Sequence, residues 1–258
     1  MGRLIGQTIA ERYEIDAVIG RRPSGVAYRA VDRSWRVGGD GHRTVTITIL
    51  DADLTGDPGA PHRVLQATGR VRDLAHPVFE TVYEVTRHDD RTCVVAAHRG
   101  GRTLMSLLGS GSDAGWPLRS VLPIGHRIAE GLSHAHRAGL FHGALGLDTI
   151  VLSADDAVLV LELGLAAALK SGAVAGGLPD ARGDVLGLAR VMTALLTGGS
   201  ASRGTRPIRP PGLRDSSWQA LMQGLAGDPV DGWDSPEAFM VSLEDPGWFG
   251  RLVGRRAR

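Results

Sequence analysis

The chain has 258 residues, with 29 basic against 28 acidic side chains, 43% hydrophobic residues and 22% charged ones. That length suits one large domain or two lobes, and the near-neutral balance argues against general nucleic-acid binding. Cys93 is the single cysteine, which excludes a disulfide framework and a cysteine zinc cluster.

Lys170 is the single lysine and asparagine is absent. A GC-rich genome explains the arginine excess, but any mechanism that needs a second lysine, or any asparagine, is excluded. No apolar run approaches the ~18–20 residues that span a bilayer. Met1 to Arg12 lacks the apolar core of a signal peptide. The cytoplasm is the expected compartment, unless the chain is the soluble piece of a longer membrane protein.

The first part of the chain predicts strands. Tyr13 to Ile19 alternates weakly and stops at Gly20, and Val26 to Val31 follows after a short turn. Gly38, Gly39 and Gly41 supply a reversal into Thr44 to Leu50, which is strongly β-branched. Pro61 to Leu74 predicts a helix. Phe79 to Val85 and Thr92 to Ala96 predict two more strands around the turn His88-Asp89-Asp90. The second part predicts mostly helix. Leu118 to Ala138 carries Val121, Leu122, Ile128, Leu132 and Ala135 near one stripe. Thr149 to Leu152 and Ala157 to Leu161 are short apolar strands. Val185 to Leu196 is apolar on most sides, as a buried helix is, and Ser217 to Leu225 is another helix. Ser235-Pro236-Glu237 has the order of a helix start. Ser200 to Leu213, rich in Gly, Pro and Arg, reads as a loop.

This order of segments resembles the bacterial serine/threonine protein kinase domain, particularly the actinobacterial receptor type, over about residues 8 to 244. "YEIDAVIGRRPSGVAYRAVD" resembles the first two strands and the phosphate loop, and "TVTITIL" the third-strand V-A-I-K segment. "LAHPVFETVYEV" is similar to the link from helix C to the fourth strand, and "GRTLMSLL" to the segment after the hinge. "HAHRAGLFHGALGLDTIVLSADDAVLVLELGLA" lies without gaps on the catalytic loop through the D-F-G segment. "ARGDVLGLARVMTALLTG" resembles the central helix of the C-lobe, and "LAGDPVDGWDSPEAF" the last two helices. The resemblance implies an α+β, bilobal fold over residues 1–244. Its N-lobe, about 8–97, has five antiparallel strands and one helix; its C-lobe, about 98–244, is helical; a basic tail, 245–258, follows.

Phosphoryl transfer is mainly positioning and charge neutralisation, so the residue types at the family's positions decide the expectation. The phosphate loop G-x-G-x-x-G is Gly20-Arg21-Arg22-Pro23-Ser24-Gly25. Pro23 removes an N–H donor, so this loop cannot cover phosphates in the usual way. The functional alternative is that Arg21 or Arg22 itself meets an anion. The lysine position is Thr48, the adenine-lining alanine is Thr46, and the helix C glutamate falls at about Ala67, beside Gln66. Ala96 takes the gatekeeper place, and the hinge acid is Ala97, followed by His98. Losing both ends of an ion pair leaves no unpaired buried charge.

The loop H-R-D-L-x-x-x-N is His142-Gly143-Ala144-Leu145-Gly146-Leu147-Asp148-Thr149. Ala144 cannot accept a proton or orient a hydroxyl, and Thr149 stands for the asparagine. His142 and Leu145 match packing positions. His134 and His136 lie two apart on a helix and make a poor metal pair. D-F-G is Glu162-Leu163-Gly164, so Glu162 keeps a carboxylate one methylene longer. Gly164 to Asp184 is too short for an activation loop and the A-P-E platform. The family arginine near the last helices is Gly232. Asp184 matches the aspartate that props the catalytic loop.

What the resemblance implies is therefore a pseudokinase. It would not be an enzyme, would hold no metal or cofactor, and would keep His142, Leu145, Gly164 and Asp184 for structure. A vestigial nucleotide cleft would be lined by Ile19, Gly20, Gly25, Val26, Thr46, Val151 and Glu162. The expected role is a protein-binding scaffold or regulator in serine/threonine kinase signalling or cell-envelope control, with a kinase or a phosphopeptide-binding domain as partner and no nucleic acid. One alternative is a divergent nucleotide-binding protein with weak phosphotransfer, taking ATP and Mg²⁺ weakly through Glu162, Arg21 and Arg22. Another is a membrane-associated regulatory domain of a longer protein. Its contact would be the tail, where Trp248, Phe249, Leu252 and Val253 stand among Arg251, Arg255, Arg256 and Arg258.

Overall fold

In the computed structural model, the residues described are 4–37, 41–110, 115–153, 155–169, 179–199, 207–226 and 232–244. Lys170 and the basic tail lie outside them. Contacts divide the chain into two units. One holds the chain up to Gly101 and returns from Leu159; the other holds Arg102–Val158 and the chain from Pro179.

The first unit is built on strands β1 (Thr8–Ile9), β2 (Tyr13–Arg22), β3 (Gly25–Val37), β4 (Gly41–Leu50), β5 (Val82–His88) and β6 (Arg91–Ala97). They form one sheet in the order β1-β2-β3-β4-β6-β5, antiparallel at every pairing. Its helices are α1 (Ala52–Thr55), α2 (Ala60–Leu74) and, after the return, α5 (Leu165–Leu169). The five strands and one helix that the sequence predicts are present. The two-residue β1 makes six, and α1 and α5 are additional.

Strand β4 shows why this sheet forms. Its β-branched run alternates, so Val45, Ile47 and Ile49 enter a cluster with Tyr13, Ile15, Tyr28 and Val95, while Thr46 and Thr48 face the other way. Leu50 joins a second cluster with Val64, Val82, Val94, Leu165 and Ala168. Each fully buried isoleucine contributes about 2 kcal/mol through lost apolar surface.

Strands β3 and β4 carry one dense charge network. Asp32 has no exposure. It accepts from Arg12 Nε and Nη2, both at 2.8 Å, from Arg43 Nη2 at 2.9 Å, and from the Ser34 backbone N–H and hydroxyl. The Arg43 guanidinium lies 4.4 Å from the Trp35 ring centroid and 4.2 Å from that of Tyr83, in cation–π range. Hydrogen bonding to Arg12 holds the Asp32 carboxyl far below its usual range despite burial.

The second unit contains β7 (Arg102–Thr103), α3 (Leu104–Gly109), α4 (Leu118–Arg137), β8 (Ile150–Leu152), α6 (Ala181–Thr197), α7 (Asp215–Ala226) and α8 (Pro236–Glu244). Strand β9 (Val158–Val160) spans the boundary in sequence. Helix α6 starts earlier than its apolar run because Asp180 caps it, accepting from the Gly183 N–H at 2.8 Å. Ser235 accepts from the Ala238 N–H at 3.1 Å and so caps α8, as the sequence predicts. Helices α4, α6, α7 and α8 pack on one another around Ile128, Leu132, Leu188, Met192 and Phe239. Among the described residues, no helix is long and apolar enough to cross a membrane.

Because the Asp32 carboxyl titrates far lower when folded, its contribution is complete above about pH 4 and is lost as the pH falls through the folded-state value. Asp32→Ala should therefore lower unfolding stability at pH 7 by about 2 kcal/mol, read in urea denaturation. The difference from wild type should shrink in acid.

Candidate functional site

Strands β2 and β3 meet through the cross-strand pair Arg22 and Gly25, so the phosphate-loop segment is a tight turn around Pro23 and Ser24. A Cβ on Gly25 would lie 2.0 Å from the Ile49 carbonyl oxygen. Glycine is required here by the close approach of the turn to β4, independent of any phosphate. The Asp51 N–H donates to the Ser24 carbonyl at 3.0 Å and fixes the turn. Adjacent strand residues point to opposite faces, which separates the two arginines. Arg21 is exposed and paired with Asp51. Arg22 points inward: its Nη1 donates to Thr48 Oγ1 at 3.0 Å and lies 3.6 Å from Glu80 Oε2. A guanidinium therefore stands beside the residue that occupies the family's lysine position.

Glu80 is brought in by an isolated parallel bridge between Phe79 and Val160. The Val160 N–H donates to the Val78 carbonyl at 2.6 Å, and the Glu80 N–H donates to the Val160 carbonyl at 3.2 Å. Two residues on, the Glu162 N–H donates to Glu80 Oε1 at 2.8 Å, and the Glu162 carboxylate accepts from the Ser24 hydroxyl. Glu80 and Glu162 are 7% and 6% exposed. Glu162 has a φ of 64°, a left-handed conformation that costs a non-glycine residue roughly 1 kcal/mol. Hydrogen bonds with Glu80, Ser24 and the Leu165 N–H hold it there. Gly164, two residues later, has a φ of 77°, which explains why glycine is kept at the end of the D-F-G match. Burial pushes the Glu162 carboxyl up to about 7; the Ser24 hydrogen bond and the Arg22 charge pull the other way, and the Glu80 charge adds to the rise.

The remaining first-unit positions are apolar or neutral. Ala67, on α2, packs against the cluster that contains Leu165 and Ala168, and Arg63 Nε donates to the Ala168 carbonyl at 2.9 Å. The helix C position thus holds no charge because it faces apolar surface. Thr46 is buried, with its hydroxyl 3.0 Å from His98 Nδ1. Burial holds the His98 imidazole below its ordinary value. Ile19 is exposed, and Gly20 follows an irregularity in the β2–β3 pairing. Val26 departs from the sequence expectation: it packs with Val18 on the cluster of Tyr28 and Ile47. Ala27, the cross-strand partner of Thr48, takes the inward face. Val151 lies in the other unit, on β8 opposite Thr103.

In the second unit the catalytic-loop match is held by one carboxylate. Asp184 Oδ2 accepts from the His142 N–H at 2.8 Å and Oδ1 from the Gly143 N–H at 2.7 Å, while His136 Nε2 lies 2.8 Å from Oδ2. Thr149, fully buried, accepts from the Gly146 N–H and donates back to the Gly146 carbonyl, each at 3.0 Å. His142 is fully buried, and Leu145 packs where Gly187 lets α6 approach. Ala144 is exposed and brings only a methyl group.

The first-unit cluster offers one guanidinium, two carboxylates and two hydroxyls in a small buried space. A guanidinium suits phosphate oxygens. Among the described residues, no three His, Cys, Asp or Glu side chains converge as a metal cage. Mg²⁺ needs no such cage, since it is commonly held by one or two carboxylates together with substrate phosphates and water. Glu162 fits that donor set.

No protein-family model matches the chain. It is 26% identical to serine/threonine-protein kinase PknB of Mycobacterium leprae over 92% of its length, covering 39% of that protein. It is 28% identical to the probable serine/threonine-protein kinase SCO3848 of Streptomyces coelicolor over 84% of its length, covering 33% of that protein. The chain thus matches well under half the length of these relatives. The PknI kinase domain of Mycobacterium tuberculosis superposes with a TM-score of 0.75 at 21% identity, over 95% of this chain and 100% of that domain. The fold is that of a protein kinase. By sequence the chain is similar to bacterial serine/threonine-protein kinases. These relatives correct one expectation: they carry the names of an enzyme family along nearly the whole chain, so the inference from sequence that the protein is not an enzyme is withdrawn.

Sequence reasoning singled out Glu162, Thr48 and Arg22, missed Glu80 and Ser24, and weighed His136 only as a metal ligand. Glu80 carried a signal: it is a carboxylate between Val78-Phe79 and Val82, in a segment expected to be a strand.

The raised Glu162 carboxyl has a defined consequence. Between about 4.5 and about 7 the folded protein keeps a proton that the unfolded chain has lost, so stability falls as pH rises through that window and levels off above it. Glu162→Gln keeps the acceptor for Ser24 and removes the titration. Its melting temperature relative to wild type should climb from pH 5 to pH 8. A constant offset would mean that Glu162 does not titrate in that window.

Proposed function

We propose that the chain is a divergent nucleotide-binding domain of bacterial serine/threonine kinase signalling, taking ATP with Mg²⁺ and transferring phosphate slowly to a protein. The observation that supports this most is the buried Glu162 carboxylate, kept in a left-handed conformation and answered by Ser24 and Arg22. Burying a carboxylate is costly unless it is paired, and an apolar residue would fill a merely structural position at less cost. Mg²⁺ in such a site supplies neutralisation of phosphate charge. Glu162 contributes a hard oxygen donor, and Thr46 with His98 contributes a neutral wall. Slow transfer follows from Ala144: a positioned base is worth roughly 10²–10⁴-fold, and a methyl group provides none. The protein partner in this reading is a serine/threonine kinase or a phosphopeptide-binding domain, met in the cytoplasm where ATP is available.

Binding at ligand concentrations about a hundredfold above the dissociation constant stabilises a fold by ~2.7 kcal/mol, roughly a 5 °C rise in melting temperature for a chain of this size. ATP with Mg²⁺ should produce that rise in wild type and much less in Glu162→Ala. A flat wild-type response up to millimolar ATP would sink the proposal.

Ala144→Asp tests the transfer step separately. Restoring the carboxylate should raise phosphate transfer from labelled ATP to a generic protein acceptor at least about tenfold. Equal rates in both proteins would remove phosphotransfer from the function.

A further inference from the structure

The geometry points to Arg22, held by Glu80, as the cation that binds the α/β-phosphates of the nucleotide, a charge pair moved from the β4–α2 positions to β2 and the segment before β5. This rests on the nucleotide-binding reading above and assigns a residue to it.

Three observations carry the inference. First, Arg22 Nη1 reaches Thr48 Oγ1 at 3.0 Å, so the guanidinium lies where a side chain from position 48 would place a charge. Gly20, Ala27 and Thr48 are successive cross-strand neighbours, and no side chain in that row is larger than threonine. Second, the anion that partners Arg22 is Glu80 at 3.6 Å. Its other oxygen is fixed by the Glu162 N–H, so the pair is tied to the D-F-G match. The α2 position is apolar: Ala67 faces the cluster of Leu165 and Ala168. Third, among the described residues the Arg22 contacts with Thr48 and Glu80 both use Nη1, so Nη2 and Nε can donate to an incoming oxyanion. A guanidinium can engage two phosphate oxygens at once.

A purely structural ion pair predicts otherwise. Buried pairs are often no more stabilising than apolar replacements, so packing alone gives no reason for a charge pair at this place. The phosphate role makes position 48 and position 22 interchangeable sources of one positive charge.

The test is a titration of adenosine, AMP, ADP, ATP and inorganic tripolyphosphate against wild type and three variants, by calorimetry. Arg22→Ala should weaken ADP, ATP and tripolyphosphate about tenfold to a hundredfold and leave adenosine unchanged. Arg22→Gln with Glu80→Gln removes both charges together, so Glu80 is not left as an unpaired carboxylate, while Glu162 keeps its hydrogen bond from Ser24; it should show the same selective loss if the single variant folds poorly. Arg22→Ala with Thr48→Lys should recover most of the ADP and ATP affinity. Wild-type affinity for ADP and ATP in either charge-removing variant would overturn the assignment while leaving nucleotide binding intact. So would failure of Thr48→Lys to restore binding in a folded protein. Absence of nucleotide binding in wild type would overturn this inference and the function together.

Discussion

A carboxylate removed from water must be neutralised, hydrogen-bonded or protonated, and Glu162 meets all three conditions in part. Ser24 donates to it, Arg22 lowers its cost through space, and burial raises its proton affinity into the neutral range. Each partner comes from a segment with its own local structure. Ser24 is placed by a tight turn that only Gly25 permits against Ile49. Arg22 is turned inward by strand alternation while Arg21 is turned outward. Glu80 is placed by the short bridge between Phe79 and Val160. The turn, the inward arginine and the bridge converge on Glu162.

The second unit shows a different kind of retention. Asp184 still holds two consecutive backbone N–H groups of the catalytic-loop match, and Thr149 closes the same loop on Gly146. The backbone is therefore kept while its chemical side chain, at Ala144, is gone. This separates what a loop needs to fold from what it needs to react. The former depends on one buried carboxylate with a histidine beside it, at His136. The latter depends on a single exposed position that no neighbour relies on, so it could change without a folding cost.

Much of this was legible in the sequence. The strand β4 followed from its β-branched alternation, α6 from its apolar run, and the kinase resemblance from the order of segments. Short elements escaped: β1 has two residues, and α1 and α5 have four and five, too few for a periodic pattern to register. Val26 was misplaced by one residue because a strand's period of two reverses the face at each step. The charged site was only half legible. The losses at Thr48, Ala67 and Ala144 are visible by position, but a gain is not. Glu80 lies 82 residues from Glu162 and becomes its partner only through tertiary contact.

That asymmetry bears on how a chain lacking the expected residues should be judged. Position-by-position reading treats the missing lysine and the missing glutamate as two losses, and it leads to inactivity. In the folded chain the place beside Thr48 is not empty of charge, and the place of the glutamate is not empty of function. Ala67 lets α2 pack on α5 through apolar surface, with Arg63 joining the two by the Ala168 carbonyl. A glutamate at position 67 would have to be desolvated among those side chains. With the anion supplied by Glu80, α2 no longer has to carry a charge, and its position is set by packing alone. The relocated pair and the apolar helix are thus two sides of one change: electrostatic work moved to β2 and the segment before β5, where backbone hydrogen bonds hold it, and the helix was left to the core.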